Sequence, residues 1–200
     1  MKNKIFHFFV LIFISFFVSK LCVAQGIEPG TIKWTYPVDQ GCITPAIGHN
    51  GTIYIPSGNQ LLAINPNGTL KWSFDTGIAN ATVGIPSVNY NDNIYFVVNT
   101  YNIDRYVFYI YALDSNKNLL WRKELYTNPS GGYIASCGEV AIGPDLTIYA
   151  SGSNKIQAFS LTGQQKWIAQ AGELSPAISQ GGNIFTIDWG ASYSKKLYKN

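Results

Sequence analysis

Gly68-Thr69-Leu70-Lys71-Trp72 is written four times along the chain with small changes: as Gly30-Thr31-Ile32-Lys33-Trp34 before it, and as Lys117-Asn118-Leu119-Leu120-Trp121 and Gly163-Gln164-Gln165-Lys166-Trp167 after it. The four tryptophans recur roughly every 38 to 49 residues, which is the signature of a repeat architecture. Working outward from each phrase, the same three runs return in the same order. A small and apolar run comes first: Pro45-Ala46-Ile47-Gly48, Ile85-Pro86-Ser87-Val88, Val140-Ala141-Ile142-Gly143 and Pro176-Ala177-Ile178-Ser179. A β-branched and aromatic run follows: Thr52-Ile53-Tyr54-Ile55, Asn93-Ile94-Tyr95-Phe96, Thr147-Ile148-Tyr149-Ala150 and Asn183-Ile184-Phe185-Thr186. The third run, Leu61 to Asn65, Ile110 to Asp114 and Ile156 to Ser160, leads through a polar turn back to tryptophan.

Each repeat therefore holds four short strands joined by Asn-Gly, Asn-Asp and Pro-Asp turns, the residues that reach the backbone angles of tight hairpins. No stretch after the leader shows a sustained apolar period of 3.6. The expected fold is all-β: a β-propeller of four-stranded antiparallel blades, about four of them present, belonging to a ring of about seven or eight blades. Trp34, Trp72, Trp121 and Trp167, each closing a fourth strand, are expected to pack between blades.

The run from Pro45 through Leu62-Ala63-Ile64-Asn65 to Gly68-Thr69-Leu70-Lys71-Trp72-Ser73-Phe74-Asp75-Thr76-Gly77 resembles the repeat of the pyrroloquinoline-quinone (PQQ) type propellers. The resemblance covers residues 30 to 198. That superfamily holds quinone-dependent alcohol dehydrogenases and non-catalytic outer-membrane assembly lipoproteins. The resemblance implies a blade shape shared by both and is closest in character to the non-catalytic kind. Dehydrogenases of this type carry adjacent cysteines, a calcium site and a catalytic aspartate. This chain has no adjacent cysteines. The expectation is a protein without cofactor, metal or catalytic residues, the alternative being a truncated fragment of a PQQ-dependent dehydrogenase-like enzyme.

Residues 1–24 read as a signal peptide: Lys2 and Lys4 precede an apolar stretch from Ile5 to Val18, and Cys22-Val23-Ala24 fits a signal-peptidase site. A lipid anchor on Cys22 is disfavoured by Lys20, and the apolar core is shorter than the roughly 20 residues that span a bilayer. The chain is thus expected to be exported to a periplasm, outer envelope or exterior, without a stable membrane span after cleavage, with residues 25–200 as the propeller repeats. Cleavage removes Lys2, Lys4 and Lys20 and no acid, taking the formal charge from +3 to zero and with it any electrostatic case for nucleic acid.

Catalytic groups are sparse. The single histidine after the leader, His49, sits in the Gly48-His49-Asn50-Gly51 turn. Asp92 and Asp145 read as equivalent hairpin-turn residues bonding their own backbone. Asp114 opens a segment like a calcium loop that lacks its glycine and its closing glutamate, and a polar turn is the better reading. Cys42 and Cys137 occupy equivalent places in repeats one and three, too far apart in a propeller for the roughly 4.4 to 6.8 Å of a bridge, so thiols are favoured over a disulfide.

Two segments break the repeat: Asn99 to Tyr106 and Asp188 to Ser194. Insertions in repeat proteins map to loops on one face, often the binding face. Tyr101, Arg105, Trp189 and Tyr193 are the candidate partner-binding residues, since aromatics and arginine anchor protein and sugar contacts. The competing reading is a longer hairpin with its aromatics folded back. In the last repeat Leu197-Tyr198 are aligned with Ile110-Tyr111, leaving Lys199 where other repeats have alanine. Gly30–Trp34 reads as a lone closing strand, which two copies could exchange to form a homodimer. The functional expectation is an exported, non-catalytic scaffold for protein or surface-glycan contact.

Overall fold

In the computed structural model, which describes residues 29–39, 44–102, 105–125, 138–152, 155–170, 176–187 and 195–198, every regular element is a β-strand. Residues 1–33 and 34–200 form two units, and all the strands lie in the second. The leader, Cys42, Cys137, Trp189, Tyr193 and Lys199 lie outside the described residues.

Blade one is β1 (Ala46–Ile47), β2 (Ile53–Ser57), β3 (Gln60–Ile64) and β4 (Leu70–Asp75), paired in that order. Blade two is β5 (Thr82–Val83), β6 (Ser87–Val88), β7 (Ile94–Asn102), β8 (Arg105–Leu113) and β9 (Leu119–Glu124). Blade three is β10 (Glu139–Ile142), β11 (Ile148–Gly152), β12 (Lys155–Phe159) and β13 (Gln165–Gln170). Blade four shows β14 (Ala177–Ile178), β15 (Ile184–Ile187) and β16 (Lys195–Tyr198). The innermost run of blade two is split: β5 and β6 each pair with β7, and between them Ile85 bridges in parallel to Glu139 of blade three.

Turn chemistry makes these hairpins. In the turns between the first and second strands, Gly51, Asp92, Leu146 and Gly182 take φ of 77°, 59°, 63° and 76°, and each donates its amide to the residue three positions back at 2.9 to 3.0 Å. In the turns between the third and fourth strands, Gly68, Lys117 and Gly163 do the same at φ of 87°, 73° and 78°. A left-handed fourth residue gives the strands the right-handed twist a blade requires.

Side chains alternate across each strand, so each inner strand feeds two cores. Ile94, Phe96 and Val98 of β7 join Tyr54 and Leu61 of blade one, while Tyr95 and Val97 join Val140, Ile148 and Phe159 of blade three. Tyr149, Ile156 and Ala158 continue the pattern to Ile184 of blade four.

Within each of the first three blades the register sets a tyrosine, an alanine and a tryptophan side by side: Tyr54↔Ala63↔Trp72, Tyr95↔Ala112↔Trp121 and Tyr149↔Ala158↔Trp167. The rings meet over the alanine at centroid distances of 5.8, 6.0 and 5.8 Å. The methyl leaves room for that tilted contact, which a larger residue would fill. In blade four Phe185 pairs with Leu197. The sequence alignment of Lys199 with the alanines is therefore corrected: Leu197 holds the alanine position.

Three of the tryptophans reach the next turn of the repeat. Trp34 Nε1 donates to the Pro66 carbonyl at 3.0 Å, Trp72 Nε1 to Ser115 at 3.1 Å and Trp121 Nε1 to Leu161 at 2.8 Å. Residues 31–39 form no strand, so the expected lone closing strand is replaced by an irregular segment whose Trp34 lies on the Gly68 turn, with the Asp39 amide donating to Ser57 Oγ.

A Cβ on Gly163 would stand 2.7 Å from Trp121 Cδ2, whereas one on Gly77, also at positive φ, would meet nothing within 4 Å. Gly77→Ala should cost only left-handed strain, about 1 to 2 kcal/mol, and Gly163→Ala about 2 kcal/mol more through overpacking. Equal losses in urea melts would show that the indole does not rest on that turn.

Glu139 on the innermost strand of blade three is half-buried, and burial pushes its carboxyl above the usual range. The folded state then holds the proton to higher pH than the unfolded chain, so this group's contribution falls as pH rises through the unfolded and then the raised folded value. Glu139→Gln should raise the thermal midpoint at neutral pH, with the gain vanishing below about pH 4. Asp145 runs the other way: the Thr147 hydroxyl first, then its amide and Lys166, hold it below the usual range against some burial. Asp145→Asn should lower the midpoint at neutral pH and converge with wild type in acid.

Candidate functional site: the long hairpin and its cleft

Antiparallel connection puts the turns between strands one and two, and three and four, at one end of every blade. The hairpins between strands two and three stand at the other end, beside the linkers to the next blade. The hairpin of blade two is the outlier. β7 and β8 run through nine pairs, from Ile94↔Leu113 to Asn102↔Arg105, where blades one and three have five each. Of the two readings of Asn99 to Tyr106, a binding loop or a longer hairpin, the described residues form the longer hairpin, because the alternation of Asn99-Thr100-Tyr101 and Tyr106-Val107-Phe108 carries the ladder outward.

At its outer end Tyr101 sits opposite Tyr106, with ring centroids 4.9 Å apart and planes at 60°. Such cross-strand aromatic pairs hold a ribbon that has little else to pack on. Tyr101 remains 53% exposed, so this aromatic is presented to solvent. Arg105 is exposed at the start of β8.

A cleft of about 360 Å³ opens where the hairpin meets the linker from blade one, lined by Ile78, Ala79, Asn80, Thr100, Tyr101, Val107, Tyr109 and Arg122. The linker is tied to the hairpin by the Thr100 hydroxyl, which donates to the Ala79 carbonyl at 3.3 Å, and Asn80 takes φ of 55° to make the corner. Val107 and Thr100 are buried, whereas Ala79, Asn80, Tyr101 and Arg122 are exposed.

Arg122 is placed by register opposite Tyr111. Its guanidinium carbon lies 4.9 Å from the Tyr109 ring centre and 5.7 Å from that of Tyr111, and Nη1 donates to the Tyr111 hydroxyl at 3.3 Å. Among the described residues the ion pair present is Lys166 with Asp145, at 3.6 Å, and Arg122 has no carboxylate partner.

Of the residues singled out in the sequence, Tyr101 is brought to the cleft and Arg105 is not among its lining. Asn80, Thr100, Tyr109 and Arg122 were missed. A signal existed: the residue after the repeat tryptophan is Ser73 in blade one and Ile168 in blade three but Arg122 in blade two, and Tyr109 stands where those blades have Gln60 and Lys155.

The opposite end holds Asp92, Asp114 and Asp145. Asp92 is one position beyond the equivalent of Asp145, and its carboxylate accepts the His49 amide of blade one at 2.6 Å, a bond between blades that corrects the reading of Asp92 as a self-bonded turn. Asp145 does bond its own turn, accepting the Thr147 amide at 3.1 Å and hydroxyl at 2.6 Å. Asp114 accepts the Asn116 amide at 2.9 Å and the Asn118 amide and side chain at 2.8 Å each. Burial works upward on Asp114, but these donors outweigh it and hold the carboxyl below the usual range. A shallower pocket of about 250 Å³ lies at this end against Asp145, Ser160, Leu161 and Lys166. Among the described residues no group of three or more His, Cys, Asp and Glu comes together. The cleft at the hairpin end offers hydrogen-bond donors and aromatic surface, and among the described residues its lining holds no carboxylate, histidine, serine or cysteine.

No protein-family profile and no curated protein matches the sequence. Among solved structures the chain is similar to a protein of unknown function from Bacteroides caccae, at 13% identity and TM-score 0.58 over 83% of this chain and 64% of that one. It is similar also to the β-propeller domain of Vanderwaltozyma polyspora Nup133, at 12% identity and TM-score 0.54 over 80% and 56% of the two chains. A third is XC5397, a gluconolactonase from Xanthomonas campestris, at 12% identity and TM-score 0.51 over 78% and 57%. The chain thus spans between 56% and 64% of the length of these structures. At such identities the likeness is one of fold, and with the successive antiparallel blades it establishes a β-propeller.

Proposed function

We propose that the chain is an exported, non-catalytic propeller that binds a surface glycan at the hairpin end of its second blade. The observation that carries this reading is the cleft, which Asn80, Thr100, Tyr109 and Arg122 line, with the exposed Tyr101 at its rim. Sugars are bound by aromatic faces together with a few fixed polar groups, and a cleft of a few hundred Å³ suits a short oligosaccharide. A protein partner would ask for a broad apolar centre ringed by polar contacts, and the cleft is narrow with a largely polar, exposed edge. The resemblance of the repeat to PQQ-type propellers of the non-catalytic kind supports the scaffold reading, and the leader supports export.

The test is affinity electrophoresis of the purified chain through gels carrying neutral and acidic polysaccharides in turn. At least one should retard it, and Tyr101→Ala should weaken that retardation about tenfold while lowering the thermal midpoint only by the small loss of the Tyr106 pair. Free migration in every gel, or equal retardation of the variant, would overturn the glycan site. The non-catalytic half is tested separately: incubation with pyrroloquinoline quinone and calcium should give neither stoichiometric binding by calorimetry nor dye-linked alcohol oxidation. Either result would restore the dehydrogenase-like alternative.

A further inference from the structure

Arg122 differs from Lys71 and Lys166 in how it is held. Lys71 and Lys166 stand at equivalent positions of β4 and β13 and donate to Thr52 and Thr147 hydroxyls, the latter also pairing with Asp145. Arg122 instead lies against two tyrosine rings, with one of its five N–H donors committed to a phenol. Stacking on aromatic faces fixes the plane of the guanidinium and lowers the rotamer entropy still to be lost on binding. A positive fork held in place at the edge of a cleft, with no carboxylate neutralising it among the described residues, matches a planar anion in two parallel hydrogen bonds.

Resting on the glycan reading above, we infer that the ligand is an acidic polysaccharide and that Arg122 binds the carboxylate of a uronic acid unit at the edge of the cleft. Asn80 and Thr100 are placed for hydroxyl groups of the same sugar. Glu124, which pairs with Tyr109 in the same ladder, is the acid nearest in register and bears against an anion there. Bulk attraction to polyanions is not the source, since residues 25–200 carry a formal charge of zero once Lys2, Lys4 and Lys20 are taken from the chain's +3.

The test compares polygalacturonate with its methyl ester, which keeps the backbone and removes the charge, with a sulfated dextran as a further arm. Polygalacturonate should retard the chain about tenfold more strongly than the ester at low salt, the value of a charge-assisted hydrogen bond. The excess should fall as sodium chloride is raised. Arg122→Gln should weaken retardation by polygalacturonate more than by the ester and so erase the difference, Arg122→Lys should keep only part of it, and Glu124→Gln should increase it. Equal retardation by acid and ester overturns the carboxylate assignment, and if both still depend on Tyr101 the glycan site stands. Preference for sulfated dextran over polygalacturonate assigns Arg122 to a sulfate and likewise overturns it. Free migration in every gel removes both readings at once. The comparison of acid with ester needs no variant, so a poorly folding Arg122→Gln leaves the proposal open to refutation.

Discussion

An indole laid on the turn of the following blade is the contact from which the rest of the propeller is built. Tryptophan is large, flat and a donor only, so burying its face without an acceptor for Nε1 would forfeit much of what its area contributes. Trp34, Trp72 and Trp121 meet both needs at once, because the turns they cover expose a carbonyl at Pro66, Ser115 and Leu161. The same geometry demands that the turn present no bulk. Gly68 and Gly163 answer that by having no Cβ where the ring lies. Lys117 occupies the third such turn at φ 73°, so blade two bears a strain at that point that the other two avoid.

Blade thickness is set by the same tryptophans from the other side. Tyrosine on the second strand and tryptophan on the fourth touch across an alanine on the third, and the two rings form a continuous surface for the next blade. This explains why the third strand carries alanine in an otherwise bulky run. Blade four departs from the pattern, with Phe185 opposite Leu197 where the other blades pair tyrosine with alanine.

Much of this was legible in the sequence because turns and aromatic contacts are local facts. Asn-Gly and Pro-Asp pairs fix hairpins within four residues, and the recurrence of tryptophan fixes the repeat. The long hairpin was harder to read. Asn99-Thr100-Tyr101-Asn102 is polar, which reads as loop, yet pairing to Arg105-Tyr106-Val107 continues the ladder and lets Tyr101 rest against Tyr106. Ladder extension by a partner strand is invisible from one strand alone. Asp92 misled for a related reason: its neighbours Asn89 and Asn91 look like self-contained turn chemistry, and the amide it accepts comes from His49, 43 residues away in another blade. The setting of Arg122 was hidden because the sequence gives its strand position but not the tyrosines beside it on β8.

These contacts divide the labour between the two ends of each blade. At the tryptophan end, carbonyls, left-handed residues and carboxylates are consumed by the turns: Asp114 and Asp145 bond within theirs, and Asp92 links one blade to the next. Little of that polarity is left to recognise a ligand. The hairpin end is under no such constraint, because its linkers carry no indole and its hairpins can lengthen without disturbing the packing between blades. Blade two has used that freedom. Its extra pairs lift Tyr101 clear of the core, and Arg122 rides on tyrosines whose inner partner, Tyr111, is already anchored against Phe96 at 5.3 Å and Phe74 at 6.0 Å. The exposed guanidinium is in this way tied to the core between blades one and two, which narrows the orientations open to a surface charge.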